Sequence, residues 1–349
     1  MNELEEIVLA AREASASDVH LSPGAFLRFR IHGSLESRGD APLSAEECEG
    51  LARTALGGRF DDLAHTGEYD CASDIAGVRV RLNAYRVDGG YAMALRLLSE
   101  RIPAMSELGL PPVVADFPAY QKGIVLVTGE TGSGKSTTLA SIINEINLTR
   151  PDHIITLEDP IEYVYESARG LVTQREVGRD TQSFSAGLRA ILREDPDVIL
   201  VGEMRDLDTI ETALVAAETG HLVFATLHTQ SAADSVDRLI GSFPEDRQRQ
   251  IRTQLSMTLK AVVSQQLLPR LGGNGRVLAC EVMVVNAAIR NLIREGKTPQ
   301  IENSIATTAA LGNVTMDASI SRLLRSRLID ARTAASAARD SDAFLRQGR

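Results

Sequence analysis

The sequence predicts an α/β chain, a mostly parallel sheet covered by helices, preceded by a smaller α+β module. Downstream of position 122, the apolar stretches GIVLVT, HIITLE, DVILVG and HLVFATLH alternate with helical stretches such as SAGLRAILRE and LDTIETALVAAE. That alternation belongs to parallel strands buried on both faces. Between the first strand and its helix stands GETGSGKST, which matches G-x-x-x-x-G-K-[ST] from Gly129 to Ser136. Upstream of position 100 the pattern changes. There GVRVRLNAYRV sets Val78, Val80, Leu82 and Ala84 against Arg79, Arg81, Asn83 and Tyr85, the mark of a half-buried strand.

From the N-terminus, LEEIVLAAREA has amphipathic helical spacing and FLRFRIHG alternates as a strand. The DGG at 88–90 then turns GVRVRLNAYRV into a second strand, YAMALRLLS. On pattern alone the arginines along these strands read as a solvated face. Pro103, Pro111, Pro112 and Pro118 break any long element. The expected boundaries are an N-terminal domain over 1–98, a linker over 99–122 and a nucleotide domain over 123–349.

Bulk composition narrows the class. A chain of 349 residues suggests about two domains, and 44% apolar residues suffice for their cores. Cys48, Cys71 and Cys280 lie far apart with no C-x-x-C pair, which excludes a disulfide framework or a four-cysteine zinc site. Reduced cytosolic thiols are the expectation. MNELEEIVLA lacks the basic start of a signal peptide, and no apolar run approaches the roughly 20 residues that span a bilayer. A net charge of −10 weighs against direct nucleic-acid binding, which favours a basic footprint.

The glycine loop carries the chemistry. Its glycines let backbone N–H groups close around phosphate oxygens, and the following helix adds its positive end. Gly129, Glu130, Thr131, Gly132, Ser133, Gly134, Lys135, Ser136 and Thr137 are therefore the expected nucleotide contacts. Lys135 reaches toward the β- and γ-phosphates, and the Ser136 hydroxyl is the expected Mg²⁺ ligand. A glycine turn capping a core helix is the bland alternative.

Ligands of such sheets sit at the carboxyl ends of the strands. The second strand ends in Glu158 and Asp159, with Glu162 shortly after; the third ends in Glu203; the fourth is bracketed by His221 and His228. Hydrolysis of a nucleoside triphosphate needs Mg²⁺ held in place and a water aligned with the leaving oxygen. Glu203 suits the Mg²⁺ through a bound water, and Glu162 suits the attacking water. A helix-capping carboxylate remains the alternative for either glutamate, and a satisfied strand-end side chain for either histidine. No N-K-x-D segment for reading guanine occurs, so a GTP switch has little support.

Together these motifs resemble the secretion and type IV pilus ATPases, over nearly the whole chain. GETGSGKST is similar to the family's Walker A, TLEDPIEY to its aspartate box, DPDVILVGEMRD to its Walker B region and TGHLVFATLHT to its histidine box. SDVHLS at 17–22 resembles the N-terminal signature, and AIRNLIRE at 288–295 resembles a segment of the pilus retraction branch. The four-cysteine motif of the assembly and type II branches is absent.

The resemblance implies a RecA-like P-loop ATPase domain behind a PAS-like domain. It implies Glu162 as catalytic glutamate, Glu203 as Walker B glutamate, and His221 and His228 as the histidine-box pair. It also implies that Arg81 and Arg96 face the nucleotide phosphates. The implied whole is a cytoplasmic homohexamer at the inner face of the cytoplasmic membrane, hydrolysing ATP with Mg²⁺. It would act on an inner-membrane pilus platform protein and indirectly on pilin, with a second retraction ATPase as a further partner. The AIRNLIRE helix is then expected to serve coupling rather than chemistry. One departure stands inside the loop: Glu130 replaces the usual proline, and its charge is expected to weaken nucleotide binding rather than abolish turnover.

Overall fold

The protein is described by a computed structural model that covers residues 2–31, 33–98, 101–273, 275–339 and 341. Two compact units result, one of Met1–Arg101 with Pro160–Val164, the other of Ile102–Asp159 with Tyr165–Arg349.

The first unit opens on α1 (Glu3–Glu13), started by a capping box in which Asn2 and Glu5 bond each other's backbone N–H. Leu4, Val8 and Ala11 recur at helical spacing and are its buried face. There follow β1 (Asp18–Leu21), β2 (Leu27–Ile31), β3 (Ser34–Arg38), α2 (Ala45–Leu56), α3 (Phe60–Thr66), β4 (Glu68–Ile75), β5 (Val78–Val87) and β6 (Gly90–Leu97). The strands form one antiparallel sheet in the order β3-β2-β1-β6-β5-β4. The alternation read from β5 holds: Val78, Val80, Leu82 and Ala84 are buried, while Arg79, Arg81 and Asn83 are only partly so. Asp88 and Gly89 form the two-residue connection into β6, and Gly89 takes φ +74°, a left-handed conformation that glycine adopts without strain.

In the second unit β7 (Gly123–Thr128) leads into α4 (Lys135–Thr149) and β8 (His153–Glu158). Next come β9 (Leu171–Glu176), α5 (Phe184–Ile191), β10 (Val198–Val201), α6 (Leu207–Glu218) and β11 (Leu222–Leu227). The chain continues through α7 (Ala232–Gly241), α8 (Glu245–Thr258), β12 (Leu259–Pro269), β13 (Arg276–Val284), α9 (Ala287–Glu295), α10 (Ile301–Thr307), α11 (Met316–Arg325) and α12 (Ala331–Ala337). The sheet order is β13-β12-β7-β11-β10-β8-β9, parallel except for the β12–β13 hairpin. Every residue of β7, β10 and β11 is buried, which explains their unbroken apolar sequence.

In this unit β9, β12 and β13 were not expected from the sequence, as β1, β3 and β4 were not in the first. LVTQRE in β9 is a half-exposed edge strand with little apolar content, and β12 follows α8 with no turn signal between them. The expected linker is also revised. Residues 102–122 belong to the second unit, with Val114 and Phe117 fully buried. Arg150 fastens them by donating to the carbonyls of Pro118 and Tyr120, each at 2.7 Å, and Ser141 by donating to that of Pro103 at 2.6 Å. Prolines here shape short 3₁₀ turns over Met105–Glu107 and Pro112–Ala119 rather than a free connector. Among the described residues no helix is long and apolar enough to cross a membrane.

Candidate functional site

β7 ends at Thr128, and the loop begins with Gly129 at φ +140°. A Cβ there would run into the Gln265 carbonyl oxygen and the Ser133 hydroxyl, so only glycine fits. Gly134, at φ +91°, occupies the N-cap of α4 and aims the first helical N–H groups at the loop's interior. Lys135 folds over the loop, its Nζ donating to the carbonyls of Gly129 at 2.8 Å and Glu130 at 2.9 Å. The Ser133 hydroxyl is buried with no hydrogen-bond partner among the described residues. Ser136, one residue into α4, is exposed.

In front of the loop lies a cavity of about 910 Å³. Its walls include Gly129 to Ser133 of the loop, the end of β12 from Gln265 to Pro269, Arg276 and residues of α12, while Lys135, Ser136 and Glu203 do not line it. Arg276 donates to the Gly132 carbonyl at 3.3 Å. Gln230 also lines the cavity and donates to Glu130 Oε1 at 2.8 Å.

The end of β11 ties the loop to Glu203, the acid that follows β10. The Leu227 carbonyl accepts from Gly129 N and the Thr226 carbonyl from Met204 N, both at 3.3 Å. β7 and β10 flank β11, so the loop and Glu203 stand about 10 Å apart, two strand spacings, at the same end of the sheet. Glu203 Oε1 accepts from Arg205 Nε at 2.6 Å and lies 3.0 Å from His228 Nε2. Burial by itself pushes this carboxyl up, but Arg205 and His228 together outweigh it and hold it below the ordinary glutamate value. Glu203 is therefore ionised at neutral pH.

His221 does not join this group. β7 and β11 run parallel with Gly123 beside Leu222 and Thr128 beside Leu227. His221 thus precedes β11 at the amino end of the sheet, roughly 20 Å from the loop by strand length. Its Nδ1 sits 2.9 Å from the Ala216 carbonyl, which its backbone N–H also reaches at 3.1 Å. The imidazole caps the C-terminus of α6. Bracketing a strand puts two residues at opposite ends of it, so only His228 is at the ligand end.

Three expected residues belong to the first unit. Arg81 and Arg96 are cross-strand partners on β5 and β6. Arg81 Nη2 lies 2.7 Å from Asp70, and Arg96 Nε lies 2.9 Å from Asp18. Asp18 comes from the SDVHLS signature, which gives that motif a physical task. Glu162 lies in Pro160–Val164, the excursion from the second unit that groups with the first. Glu158 stays with the second unit and is engaged internally, accepting from Thr156 Oγ1 at 2.6 Å and Gln174 Nε2 at 3.2 Å. Sequence reasoning passed over Gln230, Gln265 and Arg276. Gln230 was within reach of it, being two residues past His228 at the same strand end; the other two required the unforeseen β12 and β13.

A parallel sheet with a glycine loop between strand and helix, and an ionised acid two strands away, is the build of a RecA-like P-loop nucleotide domain. The chain belongs to the Type II/IV secretion system protein family, which matches residues 1–327. It is 43% identical over 344 residues to the type IV pilus retractation ATPase PilT of Pseudomonas aeruginosa, covering 98% of this chain and 100% of that one. It is 44% identical over 317 residues to a twitching motility protein of Neisseria gonorrhoeae, covering 90% and 85%. The solved structure of the pilus retraction motor PilT with bound ADP superposes with a TM-score of 0.92 at 45% identity, covering 99% of this chain and 100% of that one.

Proposed function

We propose that this chain is an ATPase motor that hydrolyses ATP to retract type IV pili. The observation that carries this is the end-to-end likeness to PilT, in sequence and in a structure solved with ADP, over a loop and acid built for phosphate. The Lys135 ammonium neutralises the β- and γ-phosphates once released from the loop carbonyls. The exposed Ser136 hydroxyl and the ionised Glu203, the latter through water, are donors that fit Mg²⁺. That ion, when bound, neutralises charge between the β- and γ-phosphates. Glu162 orients the attacking water, and Arg81 and Arg96 stabilise the charge that develops on the transferred phosphoryl group. His228, held on Glu203, belongs with this set; His221 stays with the helix it caps.

The working assembly is a homohexamer on the cytoplasmic face of the inner membrane, acting on a pilus platform protein so that pilin leaves the filament base. Deleting the gene tests the direction of the motor. Excess surface pili without twitching, restored by the wild-type gene and not by a Lys135→Ala copy, is the expected result. A bald cell would make it an assembly motor instead, and DNA-stimulated phosphate release by the purified protein would make it a DNA translocase.

A further inference from the structure

Glu130 is the one acid in GETGSGKS, and it lines the same cavity as the loop backbone. An unrestrained carboxylate there repels phosphate oxygens. Moving one unit charge from about 12 to about 8 Å from another at an effective dielectric near 20 changes affinity about threefold. The structure shows what restrains it. Gln230 Nε2 donates to Glu130 Oε1 at 2.8 Å, fixing one oxygen at the cavity wall.

The donor itself is anchored on both sides. Two residues before it, His228 contacts Glu203 at 3.0 Å. One residue after it, Ser231 caps α7 by accepting from Asp234 N, and Ala232 N donates to the buried Glu281 at 2.8 Å. Thr229 shares a further hydrogen bond with Ser235 at 2.7 Å. Gln230 therefore holds its place and Glu130 turns to meet it. Both side chains are exposed, so their bond adds little to folding and its consequence falls on the cavity.

We propose that Gln230 is a positioning residue that acts through Glu130, holding the loop's only carboxylate against the cavity wall and away from the bound phosphates. This rests on the assignment of the loop as the nucleotide site.

The test is a double-mutant cycle on the full-length protein, reading binding of a fluorescent ADP analogue with Mg²⁺ beside KM and kcat for ATP. Gln230→Ala is expected to weaken analogue binding about threefold and raise KM in proportion, with kcat changed less than about twofold. Glu130→Gln is expected to tighten binding. In that background Gln230→Ala is expected to move affinity less than about twofold. Equal loss in both backgrounds would place Gln230 on the phosphates themselves and overturn the proposal. No loss in either would overturn it too. If the wild-type protein binds no analogue, the loop assignment falls and this proposal falls with it. Both substitutions are at exposed positions, and thermal melts matching wild type confirm that affinity alone has changed.

Discussion

Arg81 and Arg96 stand directly opposite each other on adjacent antiparallel strands, each held by its own carboxylate, Asp70 at 2.7 Å and Asp18 at 2.9 Å. Like charges in that relationship destabilise a sheet, and the two acids offset the cost. Their side chains are 38% and 63% exposed, so neither ion pair is worth more than about 1 kcal/mol to folding. A sheet gains little from such an arrangement unless the cations have another task. We expect Arg81→Ala or Arg96→Ala to melt near the wild-type temperature while ATPase activity falls about a thousandfold, the lower end for arginines on a transferred phosphoryl group. Phosphate release at the wild-type rate would return both to a solvated face.

Lys135 is the second test. Its ammonium closes the loop onto the Gly129 and Glu130 carbonyls, so Lys135→Ala removes both a phosphate contact and the tie that shapes the loop. Hydrolysis is expected to vanish and ADP affinity to fall, measured by phosphate release and by equilibrium binding. Turnover close to wild type would overturn the site.

Glu203 gives a pH dependence with a definite sign. Its carboxyl is held below the ordinary value of 4.5 against the effect of burial. A depressed carboxyl contributes stability that is present above the unfolded value and lost as pH falls through the folded one. The contribution should thus persist at neutral pH and disappear below about 4.5. Arg205→Ala removes one of the two partners that lower it, so the acid limb of the melting-temperature profile should move to higher pH. An unmoved limb would mean that Arg205, at 72% exposure, holds nothing in solution.

Glu162 and Glu203 should separate binding from chemistry. Glu162→Gln keeps the shape and loses the base, so ATP should bind while hydrolysis falls at least about a hundredfold. If Glu162→Gln stays active while Glu203→Gln is dead, the two roles are exchanged.

Much of this was legible before the structure because strand and loop signals are local. The alternation of β5 and the unbroken apolar run of β7 report one-sided and two-sided burial directly. The Gly129 and Gly134 conformations follow from a motif whose backbone geometry fixes its residues. What escaped depended on distant partners. His221 flanks its strand as closely as His228, but it precedes the strand, so order alone puts it at the amino end, and the parallel register with β7 makes that the end far from the loop. Residues 102–122 look like a linker by proline content, yet Arg150 gathers their carbonyls from α4's end. Glu162 follows the second parallel strand in sequence but groups with the first unit, a long-range event no local pattern encodes.

The AIRNLIRE helix, α9, is where the structure changes the experiment. Its spacing puts Ala288, Ile289, Leu292 and Ile293 on one face, which by amphipathicity alone reads as a helix packed on its own core, while the resemblance implies a part in coupling. Ile289 and Ile293 are instead fully buried in the same core cluster as Ile251 and Leu255, Leu292 is packed against it, and Ala288 is exposed. Ile289→Ala is thus expected to cost about 2–5 kcal/mol, a large share of a typical stability of about 5–15 kcal/mol. A lowered melting temperature would then account for any lost motility. The exposed face offers the cleaner test. Arg294 lies there, exposed although next in sequence to buried Ile293, and it donates to Asn291. Arg294→Glu should cost about 1 kcal/mol, since it sets an acid in the last turn of α9 beside Glu295, and leave phosphate release near wild type. If α9 contacts the machinery the motor drives, twitching should be lost and surface pili should accumulate. A folded, active Arg294→Glu protein that twitches normally, together with an Ile289→Ala protein that melts early, would make α9 a core helix and nothing more.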